Sequence, residues 1–365
     1  MSWALIAGGG TAGHVVPALA VAEELVSRGH AREEIRFIGS KRGMETTMVP
    51  EAGFPIDLLP GRGINERRFN LANLKAAAGL ASAAAAGLVL VARHRPAVVL
   101  GVGGYASLAP SMAAGLLRRP LVLHEQNARP GASNRAAARF AKACAVSLPG
   151  TPLPNPVLTG NPTSSAFAGL RRDEASRTQA RLRLGLPLDK LVVASWGGSL
   201  GSRRINEAVR SLAERWHHRT DVCFRQVIGR RDFAGWRDPQ AGAVGYASVE
   251  YERAMADLML AADFGVCRAG GMTVAELAAT GLPAILVPLP IATEDHQTAN
   301  ARALVDAGGA LLVADPYLDV DRLDQMLGPM LVDPSRLKRM SAAMSSLACP
   351  HAAGQVADLM EAHAR

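Results

Sequence analysis

A chain of 365 residues is too long for one ordinary core and, at about 150 residues per domain, is expected to fold as two or three. Its hydrophobic fraction of 49% belongs to a globular protein, and a formal charge of +8 favours anionic partners: nucleotides, phospholipid surfaces or nucleic acid. Aromatic residues make up only 4%, and no basic run alternates with them as single-strand stacking requires, so nucleic acid is disfavoured. Cys144, Cys223, Cys267 and Cys349 have no CxxC spacing and read as reduced core residues. The histidines form no HxxxH or HExxH pair, so no zinc site is indicated. The start, MSWALIAGGG, lacks the charged opening of a signal peptide and reads as a first buried strand. Residues 76–92 are uncharged but mostly alanine, short of the ~20 strongly apolar residues of a membrane span.

In chain order, strand-like and helix-like segments alternate, as they do in a parallel sheet covered by helices. Residues 3–7 form the first strand. The loop from Gly8 to His14 follows, then a helix with Leu19, Ala22, Leu25 and Val26 on one face, in which Pro17 is assigned to the first turn. Residues 35–38, 56–59, 98–100, 121–123 and 143–146 supply further strands. Five prolines then interrupt the rhythm in LPGTPLPNPVLTGNP, residues 148–162, which reads as a boundary or hinge. The alternation restarts with a strand at 191–195, a loop from Gly197 to Ser202 and a helix from about Arg203. Strands at 222–228, 264–267, 284–287 and 310–313 complete a second sheet. The expected domains are therefore 1–161 and 162–344. The chain is helical from about Ser335, and a final helix, about 345–365, is expected to cross back to the first domain.

Several loops carry groups suited to a ligand. Gly8, Gly10 and Gly13 satisfy G-x-G-x-x-G between a strand and a helix. The acid expected at the end of the second strand is missing, with Ser40, Lys41 and Arg42 in its place. An NAD enzyme is therefore disfavoured, while NADP, with Lys41 and Arg42 on a 2′-phosphate, stays open beside glycines that merely turn the chain. His14 stands in the first turn of a helix, where backbone N–H groups lower an imidazole's proton affinity. It suits a general base, or else a histidine bonded to neighbouring backbone. Gly101-Val102-Gly103-Gly104-Tyr105 and His124-Glu125-Gln126-Asn127 follow strands and should emerge at the same carboxyl edge. Glu125 is an alternative base, or a buried carboxylate hydrogen-bonded to loop amides.

In the stretch from Cys267 to Asn300, Val274, Leu277, Ala278 and Gly281 mark one face of a helix after Thr273. Gly270, Gly271 and Thr273 at its start leave amides free for an anion such as a phosphate. Thr273 and Glu276 also match a capping box. Thr293, Glu294, Asp295, His296, Gln297 and Asn300 open the next helix, with Glu294 and Asp295 readable as dipole partners. Asp319 and Asp321 form a DxD that reads as helix capping rather than a metal site. Arg62, Arg67, Arg68 and Lys75 precede the alanine-rich segment and suit an anionic bilayer, or else a solvated loop.

Together, GGGTAGHVVPALAVAEEL, GVGGYASLAP, HEQN, TGNP, WGGSLGSRRIN, CRAGGMTVAEL and DHQTAN, in this order, resemble the MurG family of peptidoglycan N-acetylglucosaminyltransferases. The resemblance implies an α/β GT-B fold, two Rossmann-like domains with parallel sheets facing across a cleft. It implies inverting transfer from UDP-N-acetylglucosamine to lipid I, undecaprenyl-pyrophosphoryl-N-acetylmuramoyl pentapeptide, giving lipid II and thereby serving cell shape and division. It places the protein peripherally on the anionic cytoplasmic face of the cell membrane, beside other cell-wall synthesis proteins. Carried over by motif, Thr11, Ala12 and Gly13 lie near the donor and the acceptor pyrophosphate, and Asn127 contacts the sugar. Ser199 faces the nucleotide diphosphate, and Gly271, Met272 and Thr273 border phosphates and sugar. Glu276 holds the ribose hydroxyls and Gln297 the sugar hydroxyls. The leaving diphosphate would be stabilised by that helix start and by Arg268, with no tightly bound cofactor and a divalent cation at most stimulating. His14 is the first choice of base and Glu125 the second. Thr163, Ser164 and Ser165 stand where many members carry an arginine, and the uracil loop near residues 249–253 is too variable to assign. The rival readings are another GT-B transferase on a natural-product or lipid acceptor, a UDP-sugar epimerase, and a non-catalytic nucleotide-sugar scaffold at the membrane.

Overall fold

The computed structural model describes residues 2–60, 71–240 and 242–365, with backbone alone for 71–80. Arg62, Arg67 and Arg68 lie outside the described residues, as does the side chain of Lys75. The chain divides into two compact units, Met1–Ser165 with Cys349–Arg365, and Ala166–Ala348.

The first unit is built on β1 (Ala4–Ala7), β2 (Ile35–Ser40), β3 (Ile56–Leu59), β4 (Val98–Gly101), β5 (Leu121–Glu125), β6 (Ala143–Val146) and β7 (Pro156–Leu158). They form one parallel sheet in the order β3-β2-β1-β4-β5-β6-β7. The inner strands are apolar without a break because both faces are covered, and alternate residues serve different cores. Ala4 and Ile6 of β1 face one core, while Leu5 and Ala7 face the other. The covering helices are α1 (Ala12–Ser27), α2 (Glu45–Glu51), α3 (Leu71–His94), α4 (Tyr105–Leu116) and α5 (Ala132–Ala137). The alanine content of α3 lets it approach α4 closely: a Cβ on Gly87 would lie 2.9 Å from the Ala109 carbonyl carbon. Among the described residues no helix is long and apolar enough to cross a membrane.

The second unit carries β8 (Leu191–Trp196), β9 (Val222–Val227), β10 (Gly245–Val249), β11 (Phe264–Cys267), β12 (Ala284–Leu286) and β13 (Ala310–Leu312). Their order, β10-β9-β8-β11-β12-β13, is again parallel throughout and is the doubly wound dinucleotide-fold order. Its helices are α6 (Glu174–Leu184), α7 (Arg203–Arg215), α8 (Arg230–Phe233), α9 (Met255–Ala261), α10 (Gly271–Thr280), α11 (His296–Asp306), α12 (Val320–Leu331) and α13 (Pro334–Ser345). The chain then returns to the first unit as α14 (Ala352–His363), whose Val356, Ala357 and Met360 are buried in the same core as Leu25 of α1. Arg28 of α1 reaches across with Nη1 to Asp358 at 2.6 Å and to Glu361 at 2.7 Å.

Several expectations are corrected. Pro17 is the sixth residue of α1, not a first-turn residue, so the bond its N–H would make to the Gly13 carbonyl is lost in the helix interior; burial of the ring offsets that cost. The proline-rich stretch is not all connection, because β7 pairs with β6 inside it. Proline is tolerated as the first residue of an edge strand, and β7 is exposed along its length. The helix expected from Ser335 is two helices in different units, α13 and α14. Cys349 is exposed rather than core, while the other three cysteines are buried.

Candidate active site

In each unit the sheet order reverses between two neighbouring strands, β1 and β4 or β8 and β11, and in this topology ligands bind outside the carboxyl ends at that point. The loops singled out in the sequence leave from those ends.

In the first unit the two glycine loops pack on each other. Gly103 and Gly104 take φ of 87° and 77°, in the left-handed region that favours glycine. A Cβ on Gly104 would come 2.4 Å from the Gly9 carbonyl oxygen, and one on Gly103 would come 3.2 Å from His14 Cδ2 and Nε2. The half-buried His14 ring thus lies against the second loop's backbone, with Nδ1 3.2 Å from Thr11 Oγ1. Thr11 caps α1 without a side-chain bond to the helix's first amides, so those of Ala12 and Gly13 have no side-chain cap.

Glu125 takes the part of a loop anchor. Only 2% exposed, it accepts from Asn127 N at 3.0 Å, Asn127 Nδ2 at 3.2 Å, Gly131 N at 2.9 Å and Asn134 Nδ2 at 2.9 Å. Both oxygens are engaged, which leaves it poorly placed to reach an acceptor hydroxyl. Beside it, His124 Nδ1 accepts from Gln126 Nε2 at 3.0 Å, and full burial pushes this imidazole down to about 4, so it stays neutral.

Sequence reasoning overlooked Glu45. It is 1% exposed, and its Oε2 accepts from Gly10 N at 2.7 Å while Oε1 accepts from Ser40 N at 2.8 Å and Ser40 Oγ at 2.7 Å. The local signal was present: Gly39 and Gly43 flank the Ser-Lys-Arg run and clear room for a side chain folding back. The acid missing from the end of β2 is thus supplied from the start of α2, and it binds protein donors there. The NADP reading loses its site, since the carboxylate occupies the gap between β2 and the glycine loop.

In the second unit α10 begins one turn earlier than the sequence indicated. Gly270 is the cap, with no side-chain cap bond, and Gly271, Met272 and Thr273 are the first three helical residues. The expected capping box is therefore absent, because Thr273 already lies inside the helix. Glu276 sits in the second turn, and desolvation pushes its carboxyl up to about 8. Gln297 Oε1 accepts from Leu289 N at 2.9 Å and Ala269 N at 3.3 Å, which fixes the amide and turns Nε2 the other way. Glu294 and Asp295 both adopt positive φ, 55° and 53°, a strained pair at the start of α11. Ser199 is exposed in the loop after β8, and its carbonyl accepts from Arg230 N at 3.3 Å.

The Arg268 guanidinium is engaged within the second unit. Its Nη1 pairs with Asp315 Oδ1 at 2.6 Å and donates to the Val287 and Pro288 carbonyls at 3.0 Å, and Nη2 donates to Ser202 Oγ at 2.7 Å. The guanidinium ties the start of α7 to the loops after β12 and β13. The arginine missing at Thr163, Ser164 and Ser165 is not replaced by Arg172, whose guanidinium is committed to the carbonyls of Met259, Leu260 and Ala262. Within residues 249–253, Glu252 is held by Arg225 Nη2 at 2.9 Å. Asp319 caps α12, accepting from Arg322 N at 2.8 Å, and Asp321 pairs with Arg215 at 2.7 Å, so the DxD is structural.

Comparison with known proteins follows the same division. Residues 4–146 match the glycosyltransferase family 28 N-terminal domain and residues 192–358 its C-terminal domain. A UDP-N-acetylglucosamine–N-acetylmuramyl-(pentapeptide) pyrophosphoryl-undecaprenol N-acetylglucosamine transferase of Nocardioides sp. is 43% identical, over 94% of this chain and 93% of its own. The enzyme of the same name from Desulforudis audaxviator is 36% identical over 98% and 97%. The crystal structure of Acinetobacter baumannii MurG superposes with a TM-score of 0.77 at 27% identity, covering 99% of this chain and 100% of that one. Matched in both halves by the family's domains, and along nearly its whole length by transferases of one name, the chain belongs to glycosyltransferase family 28, among the MurG-type N-acetylglucosamine transferases.

Proposed function

We propose that this protein transfers N-acetylglucosamine from UDP-N-acetylglucosamine to undecaprenyl-pyrophosphoryl-N-acetylmuramoyl pentapeptide, inverting the anomeric carbon and forming lipid II for peptidoglycan. The observation that carries the reading is the near full-length identity to transferases of that name, joined to a glycine-loop half-site in each unit. His14 is the base. With Nδ1–H donating to Thr11 Oγ1, Nε2 is the ring nitrogen that takes the acceptor's hydroxyl proton. The hydroxyl oxygen attacks the anomeric carbon, the bond from that carbon to the diphosphate oxygen breaks, and UDP leaves with the electron pair. The amides of Gly271, Met272 and Thr273 meet the developing charge at the start of α10. Glu276 accepts from the ribose hydroxyls, Gln297 and Asn127 contact the sugar, and Ser199 faces the nucleotide diphosphate. The amides of Ala12 and Gly13 hold the acceptor pyrophosphate. Glu125 shapes the loop that presents Asn127, and Arg268 supports the donor half without touching the phosphates. No tightly bound metal is required, and the protein works peripherally at the anionic cytoplasmic membrane surface, in keeping with its charge of +8.

Transfer of labelled N-acetylglucosamine to a lipid I analogue tests the reading. The unmodified protein is expected to turn over, undiminished in excess chelator, and His14→Ala to lose roughly 10²–10⁴-fold in kcat with UDP affinity unchanged. Donor binding without any transfer by the unmodified protein would refute the function. Full activity in His14→Ala would refute only the base.

A further inference from the structure

We propose that Glu45 is a positioning residue for the transfer, its buried carboxylate fixing the glycine loop that carries Thr11 and His14. The inference rests on the assignment of that loop to the acceptor and of His14 as base. Its own evidence is the packing around Glu45. Three segments converge on this one side chain: the loop after β1 through Gly10, the end of β2 through Ser40, and the turn before α2 through Gly43. A Cβ on Gly9, Gly39 or Gly43 would come within 2.2, 2.4 or 1.9 Å of the Glu45 side chain. The backbone has closed around the carboxylate until only hydrogen atoms fit beside it.

Burying a carboxylate costs several kcal/mol unless hydrogen bonds compensate, and all three partners of Glu45 are donors. An acceptor-only group satisfies them together; an amide cannot, because its nitrogen would face an N–H. Two consequences follow for the reaction. The Gly10 amide is consumed by Glu45, so the anion subsite of this loop is left to amides beyond it, those of Ala12 and Gly13 among them. The loop's left-handed Gly10, with φ of 94° and no atom within 4 Å of where a Cβ would lie, is held by that one side-chain bond from the β2 side. Release of the bond lets the loop, and with it the Thr11 hydroxyl that orients His14, move relative to the sheet.

The test is Glu45→Gln in the full chain, read by amide hydrogen exchange and by steady-state kinetics. Glutamine keeps the volume but has one acceptor oxygen, so either Gly10 or Ser40 loses its partner. Exchange at the Gly10 amide is expected to quicken at least tenfold with β1 and β4 unchanged. kcat/KM for the lipid I analogue should fall at least tenfold, with KM for UDP-N-acetylglucosamine within twofold of the parent. Ser40→Ala, which removes only the hydroxyl bond, should give a smaller loss in the same direction and serves if the glutamine variant does not fold. Unchanged Gly10 exchange, or faster exchange with unaltered acceptor kinetics, would overturn the proposal, as would equal losses for donor and acceptor. Failure of the functional reading is separate: an unmodified protein that transfers nothing sinks the function, while faster Gly10 exchange in Glu45→Gln still supports the clamp.

Discussion

Without nucleotide, desolvation keeps the Glu276 carboxyl mostly protonated at pH 7, since its pKa is pushed up to about 8. In the proposed ribose role, two hydroxyls donating to it would favour the charged form, so donor binding should expel a proton. UDP affinity is then expected to rise with pH up to about 8 and to level off above. Calorimetry in buffers of different ionisation enthalpy would detect the released proton. Glu276→Gln should flatten the pH dependence and weaken binding about 10–100-fold, the value of losing hydrogen bonds to a charged group. A UDP affinity independent of pH in the unmodified protein would contradict the ribose role. The same residue marks the reach of local sequence reasoning. Thr273-Val274-Ala275-Glu276 fits a capping box by spacing, and only the position of Gly270 as cap frees the glutamate for another partner. Arg268 is the converse, a cation beside a glycine-flanked helix start in sequence whose guanidinium pairs with Asp315, far off along the chain.

At the scale of elements, the two glycine loops of the first unit work as one object, and Gly103 is where the second loop meets the His14 ring. Gly103→Ala would place a methyl 3.2 Å from that ring at a φ of 87°, a conformation costing a side chain about 1–2 kcal/mol. The expected result is a kcat at least tenfold lower with UDP affinity unchanged, and a fall of a few degrees in Tm, measured by thermal unfolding beside the transfer assay. The strands that carry these loops were legible because strands buried on both faces are apolar without interruption, as β1 and β4 are. β7 and β10 were not. β7 is an exposed edge strand opened by a proline, and β10 is an edge strand buried only in part, so neither has the apolar run that marks an inner strand. Glu45 escaped for a related reason. Its function is written in the glycines around it, and a glycine in sequence gives no direction in which the room it makes will be used.

At the scale of the molecule, the first unit is discontinuous, with α14 supplied from beyond the second. Deleting residues 352–365 removes the buried Val356 and Met360, each worth about 1.5–3 kcal/mol, and the Asp358 and Glu361 partners of Arg28. That loss is comparable with the whole stability of a domain. The truncated protein is expected to lose protease resistance in residues 2–165 while still binding UDP through the second unit, a pattern that limited proteolysis with and without UDP would resolve. On the ribosome the arrangement also imposes an order in time. Residues 166–348 take ~10–40 s to make at about 5–20 residues per second, and throughout that interval the face of the first sheet that α14 covers has no lid. The unit synthesised second should therefore finish folding first, leaving the earlier one a nascent chain with an open core that depends on the cell's chaperones until its last helix emerges.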